Sequence, residues 1–318
     1  MSVQLARKAV QLAYLFSDDL GTSLAERLFT TPRRFARPER EHELLRAGHR
    51  FTIEIARRSP RWHGRRAQVT AWRWGYGPTV LLVHGWEGRG AQLGAFVAPL
   101  VAAGFSVVAF DAPAHGDSPG RRLYLTDLAD TIAGVALAVG PLHGIIAHSF
   151  GAAGVVLAHA RAGVDAPRNV VLAPNVVIEG ALDRFAQVVG LSEGDRALLE
   201  VRIAAHAGVT IESLRVEDLT AQRDAGLLVI HDREDPEVPF DDAARLAASW
   251  PGARLRATIG LGHRRVLRDR AIIDEAVEFL RFGRPNLVSD LAREVDRLLN
   301  RGPSRVFLYP GPSPVSQA

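Results

Sequence analysis

From residue 51 onward the chain alternates short β-branched runs with stretches rich in alanine and leucine. Residues 51–55 and 68–74 alternate apolar and polar positions, the period of a strand with one face in water. Shorter, mainly apolar runs follow at 79–83, 106–110, 144–147, 170–172, 227–230 and 255–258, bounded by Gly, Pro, Asp or Asn. Such runs predict strands buried on both faces of a parallel sheet. Between them, helical spacing covers 91–102, 123–139, 150–162, 241–249 and 274–282. Strand, helix, parallel strand, repeated, predicts a doubly wound, mostly parallel α/β fold.

One interval breaks the rhythm. Between the strands ending near Ala173 and starting at Leu227, about fifty residues carry helical signals at 181–189, 197–207 and 211–218 but no strand signal. This predicts a small helical cap, residues 175–225, inserted across the C-terminal edge of the sheet. Phe185, Val188, Val189, Leu198, Leu199 and Ile203 recur at helical spacing and are expected to face that edge. Phe185 and Leu199 are the candidates for a substrate pocket there.

The core then comprises 51–174 and 226–282. Residues 1–50 form a helical, basic extension, its first helix placing Val3, Ala6, Val10, Ala13 and Leu15/Phe16 on one side. Residues 283–318 hold an amphipathic helix at 287–299 and a tail rich in Pro and Ser.

Composition narrows the class further. Of 318 residues, 47% are hydrophobic and 23% charged, enough apolar surface for a core without a metal or disulfide staple. Cysteine is absent, which removes disulfides, thiolate metal sites and a Cys nucleophile together. The net charge is +4, Lys8 is the single lysine, and the arginines are scattered rather than interleaved with aromatics, so no nucleic-acid partner is expected. Arg7 and Lys8 precede a short apolar stretch, but Gln11 interrupts it and Ser17-Asp18-Asp19 stands where a cleavage site would be. No apolar run is long enough to span a membrane, and a cytoplasmic location is expected.

Four segments carry candidate chemistry. In Ile145-Ile146-Ala147-His148-Ser149-Phe150-Gly151-Ala152 an apolar strand runs through a serine directly into a helix. A serine at such a turn projects its hydroxyl above the sheet, and small neighbours permit the pinched backbone. Serving only as a cap for the helix is the competing role. Val83-His84-Gly85-Trp86 ends a strand in a turn whose Trp86 N–H, with that of Phe150, could form an oxyanion hole; His84 itself reads as structural. Residues 228–239 run from a strand into a loop holding three acids, Asp232, Glu234 and Asp235, one of which could orient a catalytic imidazole while the other two are solvated. Finally, Gly260-Leu261-Gly262-His263 places a histidine after the last strand, completing the order Ser, Asp, His.

These residues, with Asp111-Ala112-Pro113-Ala114-His115-Gly116-Asp117-Ser118, resemble the α/β-hydrolase superfamily, and most closely its bacterial esterase and lysophospholipase-like members. The resemblance spans roughly 50–282. Ala147 departs from the family's Gly-x-Ser-x-Gly pattern, and Asp232 stands where the acidic loop, His-Gly-x-x-Asp-x-x-Val-Pro, often has glycine. Aligning that loop on Val238-Pro239 selects Asp235 as the acid. The resemblance implies a serine hydrolase acting on a small-molecule carboxylic ester, thioester or amide, with Ser149 as nucleophile and His263 as base. It implies no cofactor, and His115 and Asp117 lack the spacing of a metal site. An acyltransferase, or a small-molecule receptor on the same fold, is the alternative.

Overall fold

Strands β3 (Thr79–Val83) and β4 (Ser106–Asp111) are buried at every position, as continuous apolar runs at the centre of a sheet must be. They belong to a computed structural model that describes residues 2–62, 64–220, 225–283 and 307–309. The other strands are β1 (His49–Ala56), β2 (Arg66–Trp74), β5 (Leu142–His148), β6 (Arg168–Leu172), β7 (Gly226–Asp232), β8 (Arg254–Thr258) and β9 (Phe307–Tyr309). They form one sheet in the order β1-β2-β4-β3-β5-β6-β7-β8-β9. The six strands from β4 to β8 are parallel, and β1, β2 and β9 are antiparallel edges. The fold is thus the expected mostly parallel α/β sheet. The helix expected at 287–299, and the tail apart from β9, lie outside the described residues.

Helices cover both faces, and successive side chains of each central strand serve opposite ones. Leu81 and Val83 face a core layer with Leu128 and Ile132 of α5 (Leu125–Val139), Val155 of α6 (Phe150–Ala162) and Leu246 of α10 (Phe240–Ser249). Val80 and Leu82 face the other layer, with Leu100 of α4 (Val97–Ala102) and Ile273 and Phe279 of α12 (Arg270–Phe282). The helix expected over 91–102 is shorter: Gly90–Phe96 is a 3-10 turn and only then does α4 begin. Pro99 explains the boundary. It has no N–H, which costs nothing in a first turn but would break a helix begun eight residues earlier. Conversely α12 starts at Arg270, a turn earlier than expected, because the Asp269 carboxylate accepts the Ile272 N–H at 3.1 Å.

The interval after β6 is helical: α7 (Ile178–Val189), α8 (Glu193–Ala207) and α9 (Val216–Thr220). It does not stand alone. Helices α1 (Val3–Phe16) and α2 (Asp18–Thr30) pack on α7 and α8, closing a separate cluster of Val10, Ala25, Leu182, Leu199 and Ile211. The buried side of α1 is narrower than its sequence suggests. Val10 and Ala13 are buried, whereas Val3, Leu15 and Phe16 are exposed.

Past α2 the chain returns to the core. Arg34 donates to the Ala114 and Ser118 carbonyls (3.0 and 2.7 Å), and Arg37 pairs with Asp111 and Asp117 (2.9 and 2.7 Å). Glu41 of α3 (Glu39–Arg46) forms a buried ion pair with Arg89 (3.1 Å to Nη2). Removing one member of such a pair leaves a buried charge uncompensated, so Glu41, with Arg34 and Arg37, ties this segment to the sheet's loops.

The chain leaves β3 toward β4 on one side and reaches β5 on the other, so the order reverses at β3. Val83 lies beside Ala147, bringing the ends of β3 and β5 together. Open α/β sheets bind ligands at such a switch point.

Candidate active site

Ser149 joins β5 to α6 with φ 53° and ψ −124°. A non-glycine residue there stores about 1–3 kcal/mol of strain. The strain is held by the Ser149 N–H donating to the Leu172 carbonyl (3.0 Å) and the Ser149 carbonyl accepting the Ala152 N–H (2.9 Å). Its side chain does not cap α6. Instead Oγ lies 3.0 Å from His263 Nε2.

His263 sits at the start of α11 (Gly262–Arg265), and its Nδ1 donates to Asp235 Oδ2 at 2.7 Å. Both side chains are buried. The other oxygen, Oδ1, accepts the Glu237 and Val238 N–H groups at 2.8 and 3.1 Å. Burial opposes ionisation of Asp235, but hydrogen bonds from His231, His263 and the Glu237 N–H outweigh it and hold the carboxyl well below the usual range. The chain of contacts is that of an activated serine: hydroxyl to imidazole, imidazole to a fixed anion.

Two backbone approaches place the β3 turn beside this serine. A Cβ on Gly85 would fall 2.8 Å from the Ser149 Cβ, and one on Gly151 would fall 2.6 Å from the His84 carbonyl oxygen. Only glycine permits either contact. The turn itself is pinned. His84 Nε2 accepts the Ala112 N–H (2.9 Å) while Nδ1 donates to the Gly85 carbonyl (2.7 Å). The Trp86 ring packs edge-on against Phe150 with centroids 5.7 Å apart.

Of the three loop acids, Glu234 is exposed. Asp232, expected to be solvated, is fully buried: Oδ2 accepts the Thr258 hydroxyl (2.7 Å) and the Leu261 N–H (2.8 Å). It ties the acidic loop to the segment that carries His263.

Other residues escaped the sequence. His148 Nε2 donates to the His263 carbonyl (3.0 Å), fixing that residue's backbone from below. His231 Nε2 donates to the Val238 carbonyl (3.1 Å) and approaches Asp235 Oδ2 (3.3 Å). Arg33, from the extension, grips Glu87 through Nε and Nη2 (each 2.8 Å), immediately after Trp86. His231 and His148 sit inside the motif segments, so their positions were visible though their partners were not. Nothing in the sequence paired Arg33 with Glu87. His115 uses both ring nitrogens, Nε2 accepting the Glu87 N–H (3.1 Å) and Nδ1 donating to the Pro113 carbonyl (3.0 Å), so it has no lone pair for a metal.

A cavity of about 580 Å³ opens above Trp86 and Phe150. Phe185, Val188, Val189 and Ile203 line it from α7 and α8, and Val3, Ala6, Leu28 and Phe29 from α1 and α2. Phe185 meets Phe29 edge-on at 5.0 Å. Leu199 does not reach the cavity. It turns the other way, fully buried among α1, α2 and α7, and Leu198 is exposed. The extension supplied the apolar surface that claimed Leu199.

A family model described as the alpha/beta hydrolase family matches residues 80–275, well over half the chain. The chain belongs to the α/β-hydrolase family. Residues before 80, including α1 and α2, lie outside the match. Comparison with curated proteins gives no match. Among solved structures, this α/β-hydrolase is similar to a thermophilic esterase from Thermogutta terrifontis, with 15% identity, TM-score 0.54 and 73% of this chain covering 98% of that one. It is similar to Est1E from Butyrivibrio proteoclasticus, solved with ferulic acid bound, at 17% identity and TM-score 0.57, over 68% of this chain and 95% of that one. A bromoperoxidase from Bacillus anthracis matches at 16% identity and TM-score 0.53, over 73% and 99%. Likenesses this distant establish the fold. Among the described residues, no helix is long and apolar enough to cross a membrane.

The buried histidines of this α/β-hydrolase make its stability sensitive to acid. Burial, chiefly, depresses His84 to about 4, and His115 and His148 to about 3. In the unfolded chain all three titrate near 6.5. Below that pH the unfolded state binds more protons, so their contribution is complete above about 6.5 and is lost as pH falls through the folded values. The melting temperature is expected to fall steadily from pH 6.5 to pH 4; a flat profile over that window would contradict this account.

Proposed function

We propose that the protein is a serine hydrolase that cleaves a carboxylic ester through an acyl-enzyme on Ser149. The observation that carries this reading is the relay from Ser149 Oγ to His263 Nε2 (3.0 Å) and from His263 Nδ1 to Asp235 Oδ2 (2.7 Å). Ser149 Oγ attacks the ester carbonyl carbon as its proton passes to His263. The Trp86 and Phe150 N–H groups receive the oxygen that becomes negative, each worth about 3 kcal/mol in a dry site. His263 then returns its proton to the departing alcohol. Water, deprotonated by the same imidazole, attacks the acyl carbon and frees Ser149. Throughout, Asp235 keeps the proton on Nδ1 and stabilises the imidazolium. His148 stays neutral beside that charge, because burial and the charge itself both lower its affinity for a proton.

The cavity's apolar lining favours an ester with an extended hydrocarbon chain. Rates on 4-nitrophenyl esters from acetate to dodecanoate test both points. Turnover should rise with acyl length and then fall where the cavity ends. Phe185→Ala, which removes a ring from the lining, is expected to shift the optimum toward longer chains, changing kcat/KM ratios by about tenfold. Leu199→Ala should leave the profile in place and destabilise the fold by about 2–5 kcal/mol. A Phe185→Ala protein with an unchanged profile and a lower melting temperature would demote Phe185 to packing.

A further inference from the structure

Both described carboxylates that reach the cavity already hold cations: Glu87 pairs with Arg33 (2.8 Å) and Glu237 with Arg264 (3.0 Å). Arg184 of α7 is a cation without that arrangement. It lines the cavity, is half-buried, and forms no ion pair among the described residues. Its one protein acceptor there is Asn175 Oδ1, 2.9 Å from Nη2, which leaves Nη1 and Nε with donors to spare. Asp242 lies close enough to feel the charge, but its Oδ2 is taken by the Val176 and Val177 N–H groups, each at 3.0 Å.

The position of this guanidinium is built. Gly180, one turn earlier, leaves room beneath it: a Cβ there would come within 3.3 Å of Arg184 Nη1. Asn175, which also lines the cavity, is itself anchored at the nucleophile, its N–H donating to the Ser149 carbonyl at 3.2 Å. Ala173, two residues before it, is held at φ 45°, a strained backbone for alanine that swings the chain across the end of β5. Ser149, Asn175 and Arg184 therefore form a fixed series leading from the reacting centre to a positive charge beside the cavity's apolar side chains.

A half-buried guanidinium loses hydration that an apolar wall does not replace, and an anion with two acceptor oxygens restores it best. Resting on the ester reading above, we propose that Arg184 binds an anionic group on the substrate. The protein then acts on amphiphilic esters that carry a carboxylate or a phosphate along with their hydrocarbon chain. Arg184 sets specificity; it takes no part in the bond changes at Ser149.

The test compares three aryl esters of matched length: 4-nitrophenyl octanoate, the mono-4-nitrophenyl ester of octanedioic acid, and an aryl ester whose chain ends in phosphate. One or both anionic esters should exceed the neutral one in kcat/KM by about tenfold or more, the range of a charge-assisted hydrogen bond. The two anionic arms show which head group the site takes. Arg184→Gln should bring that ratio close to one through loss on the anionic ester, and Arg184→Lys should recover part of it. A wild-type ratio near one, or equal losses on all three esters in Arg184→Gln, would overturn the proposal. Fluorophosphonate labelling of Ser149, which does not depend on a head group, separates the two levels. Labelling with a ratio near one refutes the anionic substrate alone, whereas no labelling and no turnover refute the ester reading and this inference with it.

Discussion

Asp235→Asn should lower kcat by about three to four orders of magnitude while leaving the fold intact. The size of the effect follows from how the carboxylate is held. Its Oδ1 accepts two N–H groups, from Glu237 and Val238, so the carbonyl oxygen of an asparagine would be drawn to that position. The amide NH2 would then take the place of Oδ2 and donate toward His263 Nδ1. The imidazole would have to carry its proton on Nε2, facing Ser149, where it can no longer accept the hydroxyl proton. His231, whose Nε2 donates toward the same Oδ2, would meet a donor and could not compensate without changing its own tautomer. Steady-state kinetics on any accepted ester measures this. A kcat within about tenfold of wild type would remove Asp235 from the relay.

The neighbouring acids separate by mechanism. Glu234→Gln, at an exposed side chain, should be mild in rate and stability alike. Asp232→Asn leaves one acceptor oxygen where Thr258, Leu261 and the Glu234 N–H now share two, so its first effect should fall on the melting temperature.

The sheet and the strand-to-helix turn at Ser149 were legible because each depends on local pattern. β3 and β4 are apolar at nearly every position since helices cover both faces, and a strand that ends in a serine and re-emerges as an alanine-rich helix has few other structures open to it. Asp232 was misjudged because a carboxylate in a loop has the same sequence signature whether water or three hydrogen-bond donors surround it. In the interval after β6, helical spacing marked apolar positions on α7 and α8, of which Leu198 proved exposed, but could not say which surface each would meet. Phe185 met the cavity, while Leu199 met the N-terminal helices, which looked like an appendage from the sequence. Contacts between residues far apart in sequence, such as Arg33 with Glu87, leave no periodicity to find. The 3-10 turn at Gly90–Phe96 is the opposite case, since Pro99 was in plain view and fixes where α4 can begin.

Intact-mass analysis after reaction with a fluorophosphonate probe addresses the central claim most directly. Such a probe is attacked only by a serine whose proton has a base to receive it, and the phosphonyl oxygen needs the same N–H donors as an ester oxyanion. His263 at 3.0 Å from Ser149 Oγ supplies the base. The wild-type chain should gain one adduct, mapped to the peptide containing Ser149, and Ser149→Ala should gain none under the same conditions. An adduct forming at an undiminished rate on the Ser149→Ala protein would place the nucleophile elsewhere and contradict the account.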